Sequence, residues 1–488
     1  MCLQTMDEVS KTKSSYIPKV YRSASEIVQA IRCKAIRCVE VVSTCFDRIE
    51  ETKQLNCIVE SLKKSALEQA RAVDDRISKG ESLRTLEGLP IVVKCNIHGP
   101  PGSLCTAGTP ALANHRPKSV APVVQSMLKQ GAIVIAKVHM PDLACGFNGK
   151  SGLHGRCLNP HNTAFNCGGS SSGTAVSIAA GIVSCGLGTD TGGSCRIPAC
   201  LNGICGMRPS CKRLSIEGIV PCSASVDTPG PLGTCIGDLC VLDAAMTNTT
   251  PVTERDLSGL KFALPIDWIR CKAKSGLSGA VQKSIEYTKA ALASVGAEVV
   301  DMDFLSVIES DKAQWINPAV PFVFDNSHKG LSNYLDSLGD ERPVAAVEDI
   351  LAKISNVGVV QKFSKSKTEA AELSKKVEER DKACAEMEAS YRSFFRDHGV
   401  CALIMPAFPN EVTKIDSDSE GRAEFTNEFL FVLHMNEIRV PSLTMPVHAV
   451  RHEESGVPCS LLLYGVEDRD LLGLALGVEE ALEAMEDS

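Results

Sequence analysis

Two serine-containing, glycine-rich segments lie close together within residues 167–198. The first is GGSSSG at 168–173, and the second is GTDTGGSCRIP at 188–198. Their serines Ser170 and Ser194 are 24 residues apart (194 − 170). A serine hydroxyl is a weak nucleophile near neutral pH and needs a positioned base. The pair therefore indicates covalent chemistry if the fold brings a base to it.

Two common motifs account for these segments poorly. Residues 169–173 satisfy G-x-S-x-G, the pattern of a nucleophile elbow with Ser171 as the nucleophile. That motif requires a strand before the serine, whereas the preceding RCLNPHNTAFNC is typical of a loop. A phosphate-binding loop requires a lysine after its second glycine, but Gly173 is followed by Thr174. The sequence therefore disfavours both an elbow and a nucleotide site.

Lys94 is the candidate base. It ends the apolar run GLPIVVK at 88–94, which is typical of a buried strand. Burial there would lower the pKa of the amine and favour the neutral form that accepts a proton. The simpler interpretation is that Lys94 ends a strand and extends its ammonium group to water. When Lys94 is considered alone, the simpler interpretation is favoured. Whether Lys94 is a base therefore depends on the other motifs of the chain.

Taken in order, GLPIVVKCNI, GGSSSGTAVSIAAG and GLGTDTGGSCRIPACLNGICGMRPS closely resemble the amidase signature family, serine hydrolases with a Ser-Ser-Lys triad. The resemblance runs from about residue 23 to residue 482 and includes AGTPAL, DTPGPL and VPSLTMP. DTPGPL is similar to the corresponding segment of members that act on arylacetamides, such as indoleacetamide and mandelamide hydrolases. The resemblance implies a cofactor-independent amidohydrolase that takes a small, primary and arylacetamide-type amide through an acyl-enzyme.

The resemblance also implies roles for individual residues. Ser194 matches the nucleophile, Lys94 matches the general base, and Ser170 matches the bridging serine, which follows a cis peptide bond. The family's oxyanion hole corresponds to the backbone N–H groups of Thr191, Gly192, Gly193 and Ser194. Supporting roles are expected for Ser171, Asp190 and Arg196, the last two as an ion pair that holds the loop. Cys95 stands where the family often has an acidic residue.

Composition excludes some classes of protein and limits others. The 488 residues carry a net charge of −8, which gives no basic footprint for nucleic acid. No apolar run is long enough to span a bilayer. The 22 cysteines show no C-x-x-C spacing, so we expect reduced thiols and no metal site. The resemblance implies that no cofactor is needed. A small-molecule amide is the expected partner, the expected location is the cytoplasm, and a homodimer is compatible with this class.

Apolar runs alternate with helical patterns along most of the chain. This alternation predicts an α/β fold with a large mixed β-sheet covered by helices on both faces. Strands are predicted at 88–94, 132–138, 260–264, 297–300, 401–405 and 459–464. Helices are predicted after a capping box formed by Ser23 and Glu26, at 62–77, 120–129, 174–187 and 366–395.

We predict an N-terminal arm at 1–22 followed by a single domain at 23–485. Within this domain the prediction places a helical lead-in at 23–80, the catalytic core at 81–246 and a back half at 259–485.

The residues expected to set specificity lie at 304–363. Trp315, Phe322 and Phe324 are candidate walls of a substrate pocket, although aromatic residues of this kind are also common in a core. Two other functions remain open. One is the glutaminase subunit of an amidotransferase, whose relatives carry D-Q-x-G where this chain has DTPG. The other is a binding or regulatory protein on an inactive amidase scaffold.

Overall fold

The computed structural model describes residues 23–308, 327–368, 370–415, 430–433, 436 and 438–486. The predicted arm at 1–22 lies outside these residues. Eleven strands form one mixed sheet in the order β1-β3-β2-β6-β8-β7-β12-β13-β11-β9-β10, and β4 and β5 form a separate hairpin.

The strands are β1 (Ile58–Ser61), β2 (Pro90–Lys94), β3 (Ile133–Val138), β4 (Lys150–Ser151), β5 (Gly155–Arg156), β6 (Cys185–Asp190), β7 (Cys205–Arg208), β8 (Thr228–Gly233), β9 (Lys261–Pro265), β10 (Glu298–Met302), β11 (Ala402–Pro406), β12 (Ser442–Arg451) and β13 (Pro458–Tyr464).

The helices are α1 (Ala24–Arg32), α2 (Cys38–Glu51), α3 (Lys63–Ser78), α4 (Pro122–Lys129), α5 (Ser172–Ala179), α6 (Arg196–Leu201), α7 (Ile236–Thr247), α8 (Ile266–Lys272), α9 (Gly279–Ser294), α10 (Leu305–Ile308), α11 (Ser327–Ser337), α12 (Val347–Leu351), α13 (Val357–Thr368), α14 (Ala370–His398), α15 (Leu430–Leu433) and α16 (Asp468–Glu486).

Helices cover both faces of the sheet, as predicted. Strand β11 shows this clearly because its side chains alternate between the two faces. Ala402 and Ile404 belong to a hydrophobic cluster with α9 and α16, whereas Leu403 and Met405 belong to another with α8 and α14. Parallel pairs, such as β2 with β3 and with β6, occur beside antiparallel pairs, such as β6 with β8. The expectation of a mixed α/β sheet is confirmed.

The six predicted strands are all present, with ends shifted by one or two residues. The capping box at the start of α1 is also confirmed, since the Glu26 N–H donates to the Ser23 hydroxyl and the Ser23 N–H donates to the Glu26 carboxylate. One sheet contains strands from both the predicted core and the predicted back half.

Two predictions about secondary structure were wrong. The lead-in at 23–80 is not purely helical, because β1 pairs with β3 at one edge of the sheet. The helix predicted at 174–187 ends at Ala179, and its last residues belong to β6. The charged helix predicted at 366–395 corresponds to the last residues of α13 and to α14, which continues to His398.

Among the described residues, no helix is both long and apolar enough to cross a membrane. The cysteines in this part of the chain have free thiols, and Cys33 is the only one of them that is exposed.

Candidate active site

Lys94 lies at the carboxyl end of β2, deep in the sheet between β3 and β6. Its side chain is 0% exposed, so the interpretation in which the ammonium group extends to water is wrong. The Nζ atom donates to Ser170 Oγ at 2.7 Å and to Thr189 Oγ1 at 2.7 Å. Both of these hydrogen-bond acceptors are neutral hydroxyl oxygens.

Burial is the main influence on the charge of Lys94. It lowers the pKa of the amine to about 8, and the nearby thiols and carboxylates, led by those of Cys195, Cys222 and Asp190, oppose it only in part. An ammonium without a directly bound carboxylate is costly in a dry interior. Lys94 can therefore lose its proton close to physiological pH.

Ser170 lies in the loop that leads into α5. The peptide bond between Gly169 and Ser170 is cis, as the resemblance implied. The side chain of Ser170 is fully buried, and Lys94 is its hydrogen-bond partner. Gly168 precedes this bond with φ of +73°, and a Cβ there would lie 2.8 Å from the Cα of Pro198. A glycine is therefore required at residue 168 for the serine loop to approach α6.

Ser194 lies in the TDTGGS loop between β6 and α6. Its carbonyl oxygen accepts a hydrogen bond from the N–H of Ser171 at 3.1 Å, which joins the TDTGGS loop to the residue after Ser170. Gly193 has φ of +101°, and a Cβ there would lie 2.6 Å from Val432 Cγ1. The fold therefore brings the two serine segments and the strand end of Lys94 into one buried cluster.

Asp190 holds the TDTGGS loop from within. Its carboxylate pairs with Arg196, as predicted, and also with Arg208 on β7, and all three side chains are fully buried. The same carboxylate accepts hydrogen bonds from the N–H groups of Gly193 at 2.8 Å and Cys195 at 3.1 Å. Burial opposes the charge, but the two guanidinium groups outweigh it and hold the pKa of Asp190 well below its usual range.

The bond from Gly193 to Asp190 changes the predicted oxyanion hole. An N–H that donates to a buried carboxylate is already engaged and does not face a substrate oxygen. The prediction for Gly193 as a donor is therefore corrected, and the remaining candidates are Thr191, Gly192 and Ser194.

Ser171 was expected to support the proton relay, and its contacts are indirect. Its Oγ donates to the carbonyl oxygen of Thr189 at 3.2 Å and accepts from the Thr189 N–H at 3.3 Å. Thr189 in turn accepts the hydrogen bond from Lys94 and another from Asn96 Nδ2 at 3.3 Å. Ser171 therefore fixes the strand position that carries the second partner of Lys94.

Sequence reasoning missed three residues around this cluster, namely Thr189, Arg208 and Asp227. Asp227 begins the DTPGPL segment and accepts a hydrogen bond from Thr191 Oγ1 at 2.5 Å. It also accepts from the N–H groups of Cys222 at 2.9 Å and Ser223 at 3.0 Å. Burial raises the pKa of Asp227 to about 6, and the hydrogen bond from Thr191 opposes this shift. The sequence did contain one signal for Asp227, since it is an acidic residue directly before a segment without other charges.

The predicted pocket residues Trp315, Phe322 and Phe324 lie outside the described residues. Within the described ranges, no group of three or more His, Cys, Asp or Glu side chains is placed to hold a metal ion.

Comparison with known proteins identifies the class to which this fold and site belong. The amidase family model matches residues 40–472, and the chain belongs to that family, whose members hydrolyse amides. It is 28% identical to mandelamide hydrolase of Pseudomonas putida over 475 residues, covering 94% of this chain and 91% of that protein. It is 28% identical to indoleacetamide hydrolase of Rhizobium radiobacter over 472 residues, covering 94% and 97%.

Two further similarities cover different shares of the chain. A glutamyl-tRNA(Gln) amidotransferase subunit of Carboxydothermus hydrogenoformans is 32% identical over 293 residues, which is 57% of this chain and 59% of that protein. The structure of the native peptide amidase of Stenotrophomonas maltophilia superposes with a TM-score of 0.76 at 22% identity, covering 96% and 98%. The second similarity shows that the amidase fold extends over 96% of this chain.

Proposed function

We propose that this protein hydrolyses the C–N bond of a small amide through an acyl-enzyme on Ser194. The observation that carries the proposal is the buried hydrogen bond between Lys94 Nζ and Ser170 Oγ, 2.7 Å long. It supplies a serine hydroxyl with a desolvated amine, which is the base that covalent catalysis by serine requires.

In the proposed reaction neutral Lys94 accepts the proton of Ser170, and Ser170 accepts the proton of Ser194 as the Ser194 oxygen attacks the amide carbon. When the tetrahedral intermediate collapses, the same chain of groups returns a proton to the leaving amine. Water then attacks the acyl-enzyme and gives its proton to the same chain of groups. Ser194 leaves and recovers a proton, and the carboxylate is released. Each step uses only protons held by Lys94, Ser170, Ser194 and water.

We assign stabilisation of the oxyanion to the N–H groups of Thr191, Gly192 and Ser194. Asp190 supports this role because its carboxylate draws the N–H groups of Gly193 and Cys195 inward and so fixes the curvature of the loop. Asp227 supports it from the other side by binding the hydroxyl of Thr191. Donors fixed before the reaction lower the barrier because they need no reorganisation.

For the substrate we propose a primary, arylacetamide-type amide. Two relatives of nearly full-length coverage are named for mandelamide and indoleacetamide hydrolysis, and the DTPGPL segment that supplies Asp227 carries the same resemblance. Ammonia is then the leaving group. The free thiols of the described residues favour a reducing, cytoplasmic setting for this reaction.

The second candidate is the glutaminase subunit of an amidotransferase. The 32% identity to one such protein favours it, but the similarity covers only 57% of this chain. We therefore favour the arylacetamide hydrolase, since its relatives are similar over 94% of the chain.

The test is release of ammonia from indole-3-acetamide, phenylacetamide, mandelamide and glutamine by the full-length protein. We expect turnover of at least one arylacetamide by the protein alone, and no turnover by Ser194→Ala. Turnover of glutamine alone would favour the amidotransferase function. Undiminished activity of Ser194→Ala would contradict the proposed mechanism.

A further inference from the structure

Two buried cysteines meet beside the candidate active site. The Sγ atoms of Cys145 and Cys222 are 3.5 Å apart, close enough for one thiol to donate to the other. They come from separate loops, since Cys145 follows a short turn at 142–144 and Cys222 precedes β8. A disulfide bond is about 2.05 Å long, so closing the pair requires the sulfur atoms to approach by about 1.5 Å.

We propose that Cys145 and Cys222 are an oxidisable dithiol whose disulfide slows the reaction at Ser194. The expected oxidant is hydrogen peroxide or another hydroperoxide. The effect on the reaction rests on the proposed function, whereas formation of the disulfide does not.

Cys145 is the thiol expected to react first. It is 8% exposed and Cys222 is 3% exposed, so a small oxidant reaches Cys145 more readily. The hydrogen bond from Cys222 lowers the pKa of the Cys145 thiol and outweighs burial, which raises it; the charge of Lys362 acts with the hydrogen bond, and those of Asp227 and Asp142 act against it. A thiol of lower pKa has a larger thiolate fraction, which is the form that oxidants attack.

The reaction balances with one equivalent of peroxide. The Cys145 sulfur attacks a peroxide oxygen, the O–O bond breaks, and a sulfenic acid and one water form. The Cys222 sulfur then attacks the Cys145 sulfur, the S–S bond forms, the S–O bond breaks and a second water leaves. Two thiols are oxidised, one peroxide is reduced, and both thiol protons end in water.

A chain of short contacts links Cys222 to the TDTGGS loop. The N–H of Cys222 donates to Asp227, and the other oxygen of that carboxylate accepts from the hydroxyl of Thr191. Thr191 lies three residues before Ser194 and is one of the proposed oxyanion donors. Movement of Cys222 toward Cys145 therefore acts on the loop of Ser194 through Asp227 and Thr191.

A second contact connects Cys222 of the dithiol to helix α11. Ser327, the first residue of α11, donates through its hydroxyl to the Cys222 carbonyl oxygen at 2.6 Å. Cys145 and Cys222 belong to the same hydrophobic cluster as Leu331 and Tyr334 of α11. Disulfide formation thus shifts a loop that is held between this helix and the TDTGGS loop.

Two other neighbouring cysteines provide a comparison within the chain. Cys167 Sγ lies 3.2 Å from the carbonyl oxygen of Cys157, and both of these cysteines are 1% exposed. They are expected to stay reduced under conditions that oxidise Cys145 and Cys222. Cys33, the exposed cysteine, provides the control for reaction at the surface.

The experiment treats the full-length protein with hydrogen peroxide, blocks the remaining thiols, and searches the digest by mass spectrometry for a peptide that links residues 145 and 222. We expect this peptide together with a fall in the rate of ammonia release on the order of 10- to 100-fold, because displacements near 1 Å in an active site have effects of this size. Dithiothreitol should reverse both changes.

Cys145→Ser keeps a donor for the Leu143 carbonyl oxygen and should resist peroxide without loss of basal activity. Cys145→Ala tests the same point if the serine variant folds poorly. Cys33→Ser should respond to peroxide as the natural protein does.

Absence of the linked peptide would overturn the proposal, as would a linked peptide in a protein of unchanged activity. A linked peptide in a protein that is inactive even when reduced would support the dithiol and contradict the proposed function. The two proposals therefore fail by different results.

Discussion

Lys94 and Ser170 form a hydrogen bond of 2.7 Å although 76 residues (170 − 94) separate them in the chain. Both side chains are completely buried, so water does not compete for the bond. The amine lies where a strand ends, and the hydroxyl lies where a helix begins. This contact couples the charge of Lys94 to the hydrogen-bonding state of a single serine.

Activity should depend on the protonation of Lys94. Only the neutral amine accepts a proton, so kcat/KM should rise with pH and level off above about pH 8, where burial has placed the pKa of Lys94. A pH–rate profile from pH 6 to 10 measures this limb. Lys94→Met should lower kcat/KM on the order of 10²- to 10⁴-fold, the usual contribution of a general base.

Lys137 offers a matched control for this profile. It is also a fully buried lysine, on the neighbouring strand β3, and it donates to the carbonyl oxygen of Ile97 rather than to a serine. The profile of Lys137→Met should keep the ascending limb. A profile of the natural protein that is flat across pH 8 would exclude Lys94 as the base.

Ser170 and its neighbour Ser172 should differ strongly on substitution. Ser170→Ala removes the hydroxyl that links Lys94 to the proposed nucleophile, so kcat should fall on the order of 10²- to 10⁴-fold. Ser172 donates to the Gly168 carbonyl oxygen at 2.7 Å, and Ser172→Ala should change kcat by far less. Steady-state rates of ammonia release distinguish the two variants, and equal losses would argue that both serines have structural roles.

Removal of the Asp190 carboxylate should destabilise the fold. Asp190→Asn leaves Arg196 and Arg208 buried without their counter-charge, a change that costs about 3–5 kcal/mol in the free energy of unfolding. Denaturant unfolding measures it. Asp301→Asn removes an exposed partner of Lys289 and should have little effect. Equal stability of the two variants would mean that the buried pair does not hold the loop.

The sequence predicted apolar, β-branched strands such as β2 and β3 and missed several others, among them β1 and β12 and the two strands β6 and β8, which are rich in glycine and proline. Strand β6 has the sequence CGLGTD, and its glycines leave space for other elements. A Cβ on Gly188 would lie 2.5 Å from Ser171 Oγ, and one on Gly186 would lie 2.7 Å from Val92 Cγ2. These glycines allow close approach to the serine loop but have low strand propensity. The strand was missed for this reason.

Strand β8 was missed for a related reason. It has the sequence TPGPLG and pairs along its whole length with β6, although two prolines argue against an interior strand. The candidate site was likewise predicted only in part. The motifs predicted which residues cluster, whereas Thr189, Arg208 and Asp227 act through contacts between distant segments that spacing along the chain does not reveal.

Covalent labelling of Ser194 tests the central proposal most directly. The folded protein is treated with a fluorophosphonate, which reacts with activated serines, and the modified residue is identified by mass spectrometry. We expect a single adduct on Ser194, its loss in Ser194→Ala and much slower formation in Lys94→Met. A folded natural protein that stays unlabelled at Ser194, or that is labelled equally fast without Lys94, would contradict it.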